Sequence, residues 1–344
     1  MTSIFLYGPL AQVLPGQAAV MDDFAIPQDQ GCFPLAVARP GARLSGVLSD
    51  TPGLDVLQQA LGGRAQTLPD GTVIYVTDHG QGDWNMSAWK ARWKDIAVHA
   101  VGEAMGYADQ ISADALAGKM QMIFSRAASQ VAAAQSKPVD VRSAQTHDSV
   151  EVLQQSTPHA GYFLTRAIRL RHPQFDGTMS APLDREVFVA TDAAIVLPYD
   201  PVRDRVLLVE QFRLGPFGRG DPHPWALEPV AGGVDAGEAP EVTARRECEE
   251  EAGLSLSGLE HIASHYSSPG STTEYFHCYL GLCDLPDLIQ GQGGLDSEAE
   301  DIRTHVLPYE RAKALLDSGE ADNGPLILML IWLGTQRARL RASA

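Results

Sequence analysis

The stretch GGVDAGEAPEVTARRECEEEAGL, residues 232–254, places Glu247, Glu249, Glu250 and Glu251 within five positions, broken only by Cys248. On a helix, Glu247 and Glu251 are four apart and Glu250 is three from Glu247, so these three carboxylates share one face. Like charges at that spacing destabilise an isolated helix by about 0.2–0.5 kcal/mol per pair. Pro240 suits a first helical turn and Gly253 a C-terminal cap, so the segment between them is expected to be helical in spite of the repulsion. Ala244, Cys248 and Ala252 form a small apolar stripe for its core side. A hard divalent cation would turn mutual repulsion into shared coordination by carboxylate oxygens. Gly232 lets the backbone come close to such an ion, so that the carbonyl of Ala231 can serve as a ligand. Arg246 can pair with a carboxylate and fix its direction.

The whole chain is consistent with such a site. Its 344 residues suggest two domains, and 44% hydrophobic content is ample for real cores. A net charge of −17 makes the chain a poor candidate for gripping a phosphate backbone, so no nucleic-acid partner is expected. Cys32, Cys248, Cys278 and Cys283 show no CxxC spacing, and the start MTSIFLYGPL has no basic region ahead of an apolar stretch. A cytoplasmic protein with reduced thiols is expected. The longest apolar run, PLILMLIWL from Pro325, is too short to span a bilayer and fits a buried helix.

Short apolar runs separated by Gly, Pro and Asp (SIFLYG, ARLSGVL, TVIYVTD) make residues 1 to about 80 β-rich. Helical spacing follows from Trp84 to about Ser136, with Trp89, Trp93, Ile96 and Ala100 on one stripe. The polar segment QSKPVDVRSAQTHDS (135–149) has no periodicity and reads as a linker. REVFVATDAAIVLPY and RVLLVEQFR read as strands around a DPVRD turn, and two helices close the chain. The expected domains are 1–136, a linker over 137–154, and 155–344. Strands with flanking helices in the last of these imply an α+β or layered α/β fold.

Residues 232–254 resemble the Nudix box, Gx5Ex7REUxEExGU with U a bulky apolar residue. Gly232, Glu238, Arg246, Glu247, Cys248, Glu250, Glu251, Gly253 and Leu254 occupy the fixed positions. RLRHPQFDGTMSAPLDREVF, VEQFR, PWALEPVAGGVDAGE, SSPGSTTE and EAEDIRTHV extend the likeness, over about 155–338, to bacterial ADP-ribose pyrophosphatases. Some members of this group carry tellurite-resistance labels, which nothing in these residues explains. The resemblance implies an α/β/α sandwich that hydrolyses ADP-ribose to AMP and ribose 5-phosphate with Mg²⁺, or Mn²⁺ in its place. It also implies a homodimer through this domain and no membrane partner. Carried over by position, Glu247, Glu251, Glu300 and the Ala231 carbonyl look like metal ligands. Glu298 looks like the base that deprotonates water, with Glu250 and Glu251 also catalytic. Tyr162 and Arg185 resemble a pair that sandwiches adenine between subunits. Arg213 resembles a diphosphate contact and Glu274 a substrate contact. Gly232, Glu238, Arg246 and Gly253 shape the motif. Alternatives are another nucleoside diphosphate derivative as substrate, or a non-catalytic ADP-ribose sensor. His261 and His265 have HxxxH spacing but lack the glutamate of a zinc helix.

FLYGPL (5–10) resembles the YG(T/S)L motif of gamma-glutamylcyclotransferase-like domains, and PGARLSGVL resembles their second strand. This resemblance implies a small β-barrel-like α+β domain with a helical extension. The family's acid/base glutamate sits in a segment like LDxxEG. In LQQALGG that position is Leu61; shifted to LDVLQQ, the frame offers Leu57 and Gln58 and still no acid. No cyclotransferase activity is expected, the alternative being a bifunctional chain.

Overall fold

A computed structural model describes residues 3–28, 31–135, 139–286, 292–293 and 301–344. The chain divides into two compact units, Met1–Pro138 with Asp235–Gly237, and Val139–Val234 with Glu238–Ala344.

The first unit opens with β1 (Ile4–Tyr7), α1 (Gly8–Val13), β2 (Gln17–Ala25), β3 (Val37–Ser49), α2 (Leu54–Ala60), β4 (Arg64–Thr67) and β5 (Val73–Val76). β1 is buried along its whole length between antiparallel β3 and parallel β5. Its side chains alternate in the way a pleated strand requires. Ile4 and Leu6 pack with α3 (Met86–Met105) and α4 (Ala113–Ala133), while Phe5 and Tyr7 join Phe24, Ile26, Leu44 and Ile74 on the other face. Asn85 and Ser112 cap the two long helices through the backbone N–H groups of Ala88 and Ala115. The strand order β2-β3-β1-β5-β4 leaves β2 and β4 as open ends. The barrel-like closure expected for this unit is therefore not formed among the described residues. Four-residue β4 pairs only with β5, and a lone bridge between Ala36 and Val76 ties the start of β3 to β5.

The second unit begins with a separate antiparallel sheet, β6 (Glu151–Ala160), β7 (Leu164–Arg171) and β8 (Leu183–Val189). Strand structure thus starts inside the segment read as linker. β6 is exposed along nearly its entire length, so its polar sequence carries no alternation to read. A mixed sheet follows, in the order β13-β14-β9-β10-β16-β15. Its strands are β9 (Asp192–Asp200), β10 (Arg205–Phe212), β13 (Gly258–Tyr266), β14 (Tyr275–Leu282), β15 (Gln292–Gly293) and β16 (Ile302–Pro308). β11 (Trp225–Glu228) pairs with β10 after the short helix α5 (Leu214–Arg219), and β12 (Val230–Gly233) pairs with β9.

Both faces of this sheet are apolar, and the strands divide their residues between them. Ala194, Val196, Leu207, Val209 and Tyr279 face α6 (Pro240–Ala252), meeting Ala244, Cys248 and Leu254. Ile195, Leu197, Val206, Leu208, Cys278 and Leu280 face α7 (Tyr309–Ser318) and α8 (Gly324–Ala342). The unit is a mixed α/β sandwich in which, among the described residues, α6 is the helix that covers one face of the central strands.

Candidate functional site

Helix α6 starts at Pro240 and stops at Gly253, whose φ of +63° lies in the left-handed region that glycine adopts at no steric cost. Gly253 N–H bonds the Glu249 carbonyl and Leu254 N–H that of Cys248, each at 3.0 Å, which closes the helix in an αL cap with Leu254 tucked into the core. Cys248 and Ala244 are fully buried, and burial pushes the Cys248 thiol well above its ordinary range, so it serves as an apolar anchor. Anchoring that stripe turns Glu247, Glu250 and Glu251 to a common side.

Glu251 is only 2% exposed and the Glu247 side chain 12%. A buried carboxylate is costly unless paired or bound to a metal. Glu247 rests directly over Gly232, where β12 passes beneath the helix; a Cβ built there would fall inside the Glu247 carboxyl group. Gly232 pairs with Ala194 and Ala231 with Ile195, so the Ala231–Gly232 backbone is held flat under the carboxylates. The Arg246 guanidinium threads through the cluster. Its Nη1 is 2.7 Å from Glu247 and 2.8 Å from Glu250, and its Nη2 is 3.4 Å from Glu238 and from the Gly233 carbonyl. Burial works against its charge, yet Glu247, Glu238 and Glu250 hold its proton above the ordinary arginine range.

Oxygen donors on a rigid helix, a glycine that keeps the opposite wall clear, and one arginine for several glutamates fit a hard divalent cation. Among the described residues no three His, Cys, Asp or Glu side chains form a ready-made metal cluster. Two of the expected ligands are Glu247 and Glu251, and the third is a backbone carbonyl. The fourth, Glu300, lies outside the described residues, as does the expected base Glu298.

The remaining expected residues are spread around this centre. Arg213, at the start of α5, bonds Glu228 through Nε at 2.7 Å. Burial outweighs that partner and raises the Glu228 carboxyl above its usual range. Glu274 closes the SSPGSTTE loop, its carbonyl accepting from Ser267 and its N–H donating to Thr272 Oγ1. That loop is pinned to Phe188 and Ala190: the Ser271 carbonyl accepts from Phe188 N–H, Thr273 N–H donates to the Phe188 carbonyl, and the Thr273 hydroxyl accepts from Ala190 N–H and donates to its carbonyl. Tyr162 is 76% exposed, at the β6–β7 turn against Phe163. Arg185 lies in a shallow depression of about 490 Å³ on the same small sheet, with Gln154 and Arg169. Leu164 pairs with Val189 and Ile168 with Arg185, so Arg185 sits about 13 Å down the strand from the Tyr162 end. A single chain does not bring these two together.

His261 and His265 lie on β13, not on a helix, and His261 bonds Ser264. Ser264 in turn meets His277 Nδ1 at 3.2 Å, and His277 Nε2 meets Asp192 at 3.1 Å. Sequence reasoning missed this row because its members come from three strands. In the first unit Tyr7 is buried and donates to the Tyr75 carbonyl, with Ala36 N–H bonding its hydroxyl. Leu61 follows α2, packed against the helical core, while Leu57 and Gln58 are buried.

These features define a hydrolase of a known class. Residues 189–330 match the family model described as NUDIX domain, and the chain belongs to the Nudix family: it is a Nudix hydrolase. Over 200 residues it is 38% identical to the ADP-ribose pyrophosphatase of Haemophilus influenzae, covering 58% of this chain and 92% of that one. It is 39% identical over 194 residues to the ADP-ribose pyrophosphatase of Escherichia coli K12, covering 56% and 92%. The GDP-mannose pyrophosphatase of Enterobacter is 29% identical over 184 residues, covering 54% and 94%.

Proposed function

We propose that the chain hydrolyses the diphosphate of ADP-ribose to AMP and ribose 5-phosphate, with Mg²⁺ as the ion and Mn²⁺ able to replace it. The observation that carries this reading is Glu247 seated over Gly232 beside the buried Glu251, in a chain 38–39% identical to ADP-ribose pyrophosphatases. A bound divalent ion supplies charge neutralisation on the diphosphate and a more acidic water. Glu247, Glu251 and the Ala231 carbonyl would hold it, joined by Glu300. Arg246 keeps Glu247 and Glu250 aimed. Glu298 would take the proton of the attacking water. Arg213 would exchange Glu228 for a phosphate oxygen, and Glu274 would accept hydrogen bonds from substrate hydroxyls.

A second reading, another nucleoside diphosphate sugar as substrate, is favoured by relatives named GDP-mannose pyrophosphatase at 29–34% identity. A substrate panel with Mg²⁺ and products identified by mass separates the two. AMP and ribose 5-phosphate from ADP-ribose are expected; exclusive turnover of GDP-mannose overturns the first reading.

We further propose a homodimer built on the three-stranded sheet, in which Tyr162 of one chain meets Arg185 of the other. The separation of the two residues and the exposure of Tyr162, Phe163 and Phe188 support it. Light scattering that finds only monomer argues against it. The four free cysteines suit a reducing cytoplasm. The first unit is read as a cyclotransferase-like domain without that activity, supported by Leu61; release of 5-oxoproline from gamma-glutamyl dipeptides by the full chain would overturn this.

A further inference from the structure

Thr243 is not a position that the Nudix frame specifies. It is fully buried on the sheet side of α6, and its hydroxyl donates to Glu238 Oε2 at 2.7 Å. A helical threonine ordinarily turns its hydroxyl back to a carbonyl one turn earlier; here it reaches a side chain beyond the helix start. A buried hydroxyl is unfavourable unless bonded, and a carboxylate is a strong partner. The same Oε2 lies 3.4 Å from Arg246 Nη2, while Nη1 of that guanidinium touches Glu247 at 2.7 Å and Glu250 at 2.8 Å. The contacts run in one line: Thr243, Glu238, Arg246, then the carboxylates.

We propose that Thr243 is a positioning residue for cation binding, acting through Glu238 and Arg246. Its hydroxyl fixes the Glu238 carboxylate, which holds one side of the guanidinium. Nη1 already touches Glu247 and Glu250, and Glu238 holds Nη2 back; without that anchor the second nitrogen is free to swing to the same two carboxylates and compete there with the cation. The inference rests on the reading that Glu247 and Glu251 hold a divalent ion.

The test compares wild-type full-length chain with Thr243→Val, which removes the hydroxyl at nearly constant volume, and Thr243→Ser, which keeps it. Mn²⁺ binding is followed by electron paramagnetic resonance, without substrate, and thermal unfolding is measured alongside. Valine is expected to weaken Mn²⁺ binding by about tenfold, the low end of what outer partners of a metal ligand contribute. Serine should restore wild-type affinity. Equal affinity in the valine variant, whatever its melting temperature, overturns the proposal while leaving the ion site standing. A wild-type chain that binds no Mn²⁺ overturns both. Should valine prevent folding, Thr243→Ala against Thr243→Ser gives the same comparison: alanine weaker than serine supports the role, and equal binding overturns it.

Discussion

In the first unit, Arg126 and Glu103 meet between α4 and α3 with side chains 6% and 12% exposed, and Nε alone reaches both carboxylate oxygens at 3.1 and 3.2 Å. On α6 of the second unit, one arginine faces Glu238, Glu247 and Glu250, with Glu251 buried beside them. The first cluster is buried, while the second is partly open, with Arg246 and Glu250 side chains 33% and 30% exposed; both use a guanidinium fork. The first is balanced, one charge of each sign, and closes on itself; it holds two helices together. The second gathers Glu238, Glu247, Glu250 and Glu251 around Arg246, beside the space that Gly232 keeps clear. Carboxylates crowded at low dielectric repel one another, and a shared cation relieves that repulsion, which is the role proposed above for a divalent ion. The number of carboxylates gathered on one guanidinium, more than burial, distinguishes the cluster read as a binding site from the structural pair.

Substitutions can break or sharpen that contrast. Removing one carboxylate from the second cluster should abolish function without harming the fold. Glu251→Gln is expected to lower turnover of ADP-ribose by at least about 100-fold at saturating Mg²⁺, more than an outer partner would contribute. Without metal its melting temperature should equal or exceed that of the wild type, because a repulsion has gone. A large drop in melting temperature would place Glu251 with the structural pairs. Gly232→Ala keeps every charge and fills the space under Glu247. Turnover should fall about 10–100-fold, with weaker Mn²⁺ binding in a calorimetric titration; unchanged affinity would remove the glycine from the site.

The balanced cluster should respond in the opposite sense. Arg126→Met leaves Glu103 buried without its cation, with only the long bond from the Tyr107 hydroxyl among the described residues, and should remove about 3–5 kcal/mol of stability in denaturant unfolding. Turnover per folded molecule should be unaffected. A smaller effect is expected at Asp204, which receives Arg337 Nε at 2.9 and 3.1 Å and the Tyr199 hydroxyl at 2.8 Å. The Arg337 bond chiefly holds its carboxyl below the ordinary value of 3.8, against the opposing effect of burial. A folded-state pKa below the unfolded one means that ionised Asp204 stabilises the fold above about pH 3.8 and loses that contribution as pH falls through the depressed value. Asn tolerates the positive φ of this position. Asp204→Asn should therefore cost about 2 kcal/mol at pH 7 and progressively less in acid, read from urea unfolding at both ends. A pH-independent loss would point to packing in place of charge.

The site's centre was legible because one helix carries it. Helical spacing alone puts Glu247, Glu250 and Glu251 on a common side, and Pro240 and Gly253 mark where that helix starts and stops. The central strands were legible for a related reason: their continuous apolar runs face helices on both sides. β6 escaped, since a strand exposed on both faces leaves no hydrophobic pattern. The open ends of the first sheet escaped because closure depends on where strands pair, not on their composition. Thr243 looked like any helical residue until its distance to Glu238 was known.

By itself, then, the sequence determined the family, the acidic helix with its limits, and the residue types available to hold a cation, because each of these is a local pattern within one segment. Only the tertiary structure decided that Glu247 lies on Gly232, that Thr243 steadies Glu238, that Arg213 rests on Glu228, and that Tyr162 and Arg185 stand apart in one chain. Glu247 on Gly232 and Arg213 on Glu228 join different elements, the Tyr162–Arg185 separation follows from sheet register, and the Thr243 contact depends on how the chain enters α6; none of these is a pattern of residue types along the sequence.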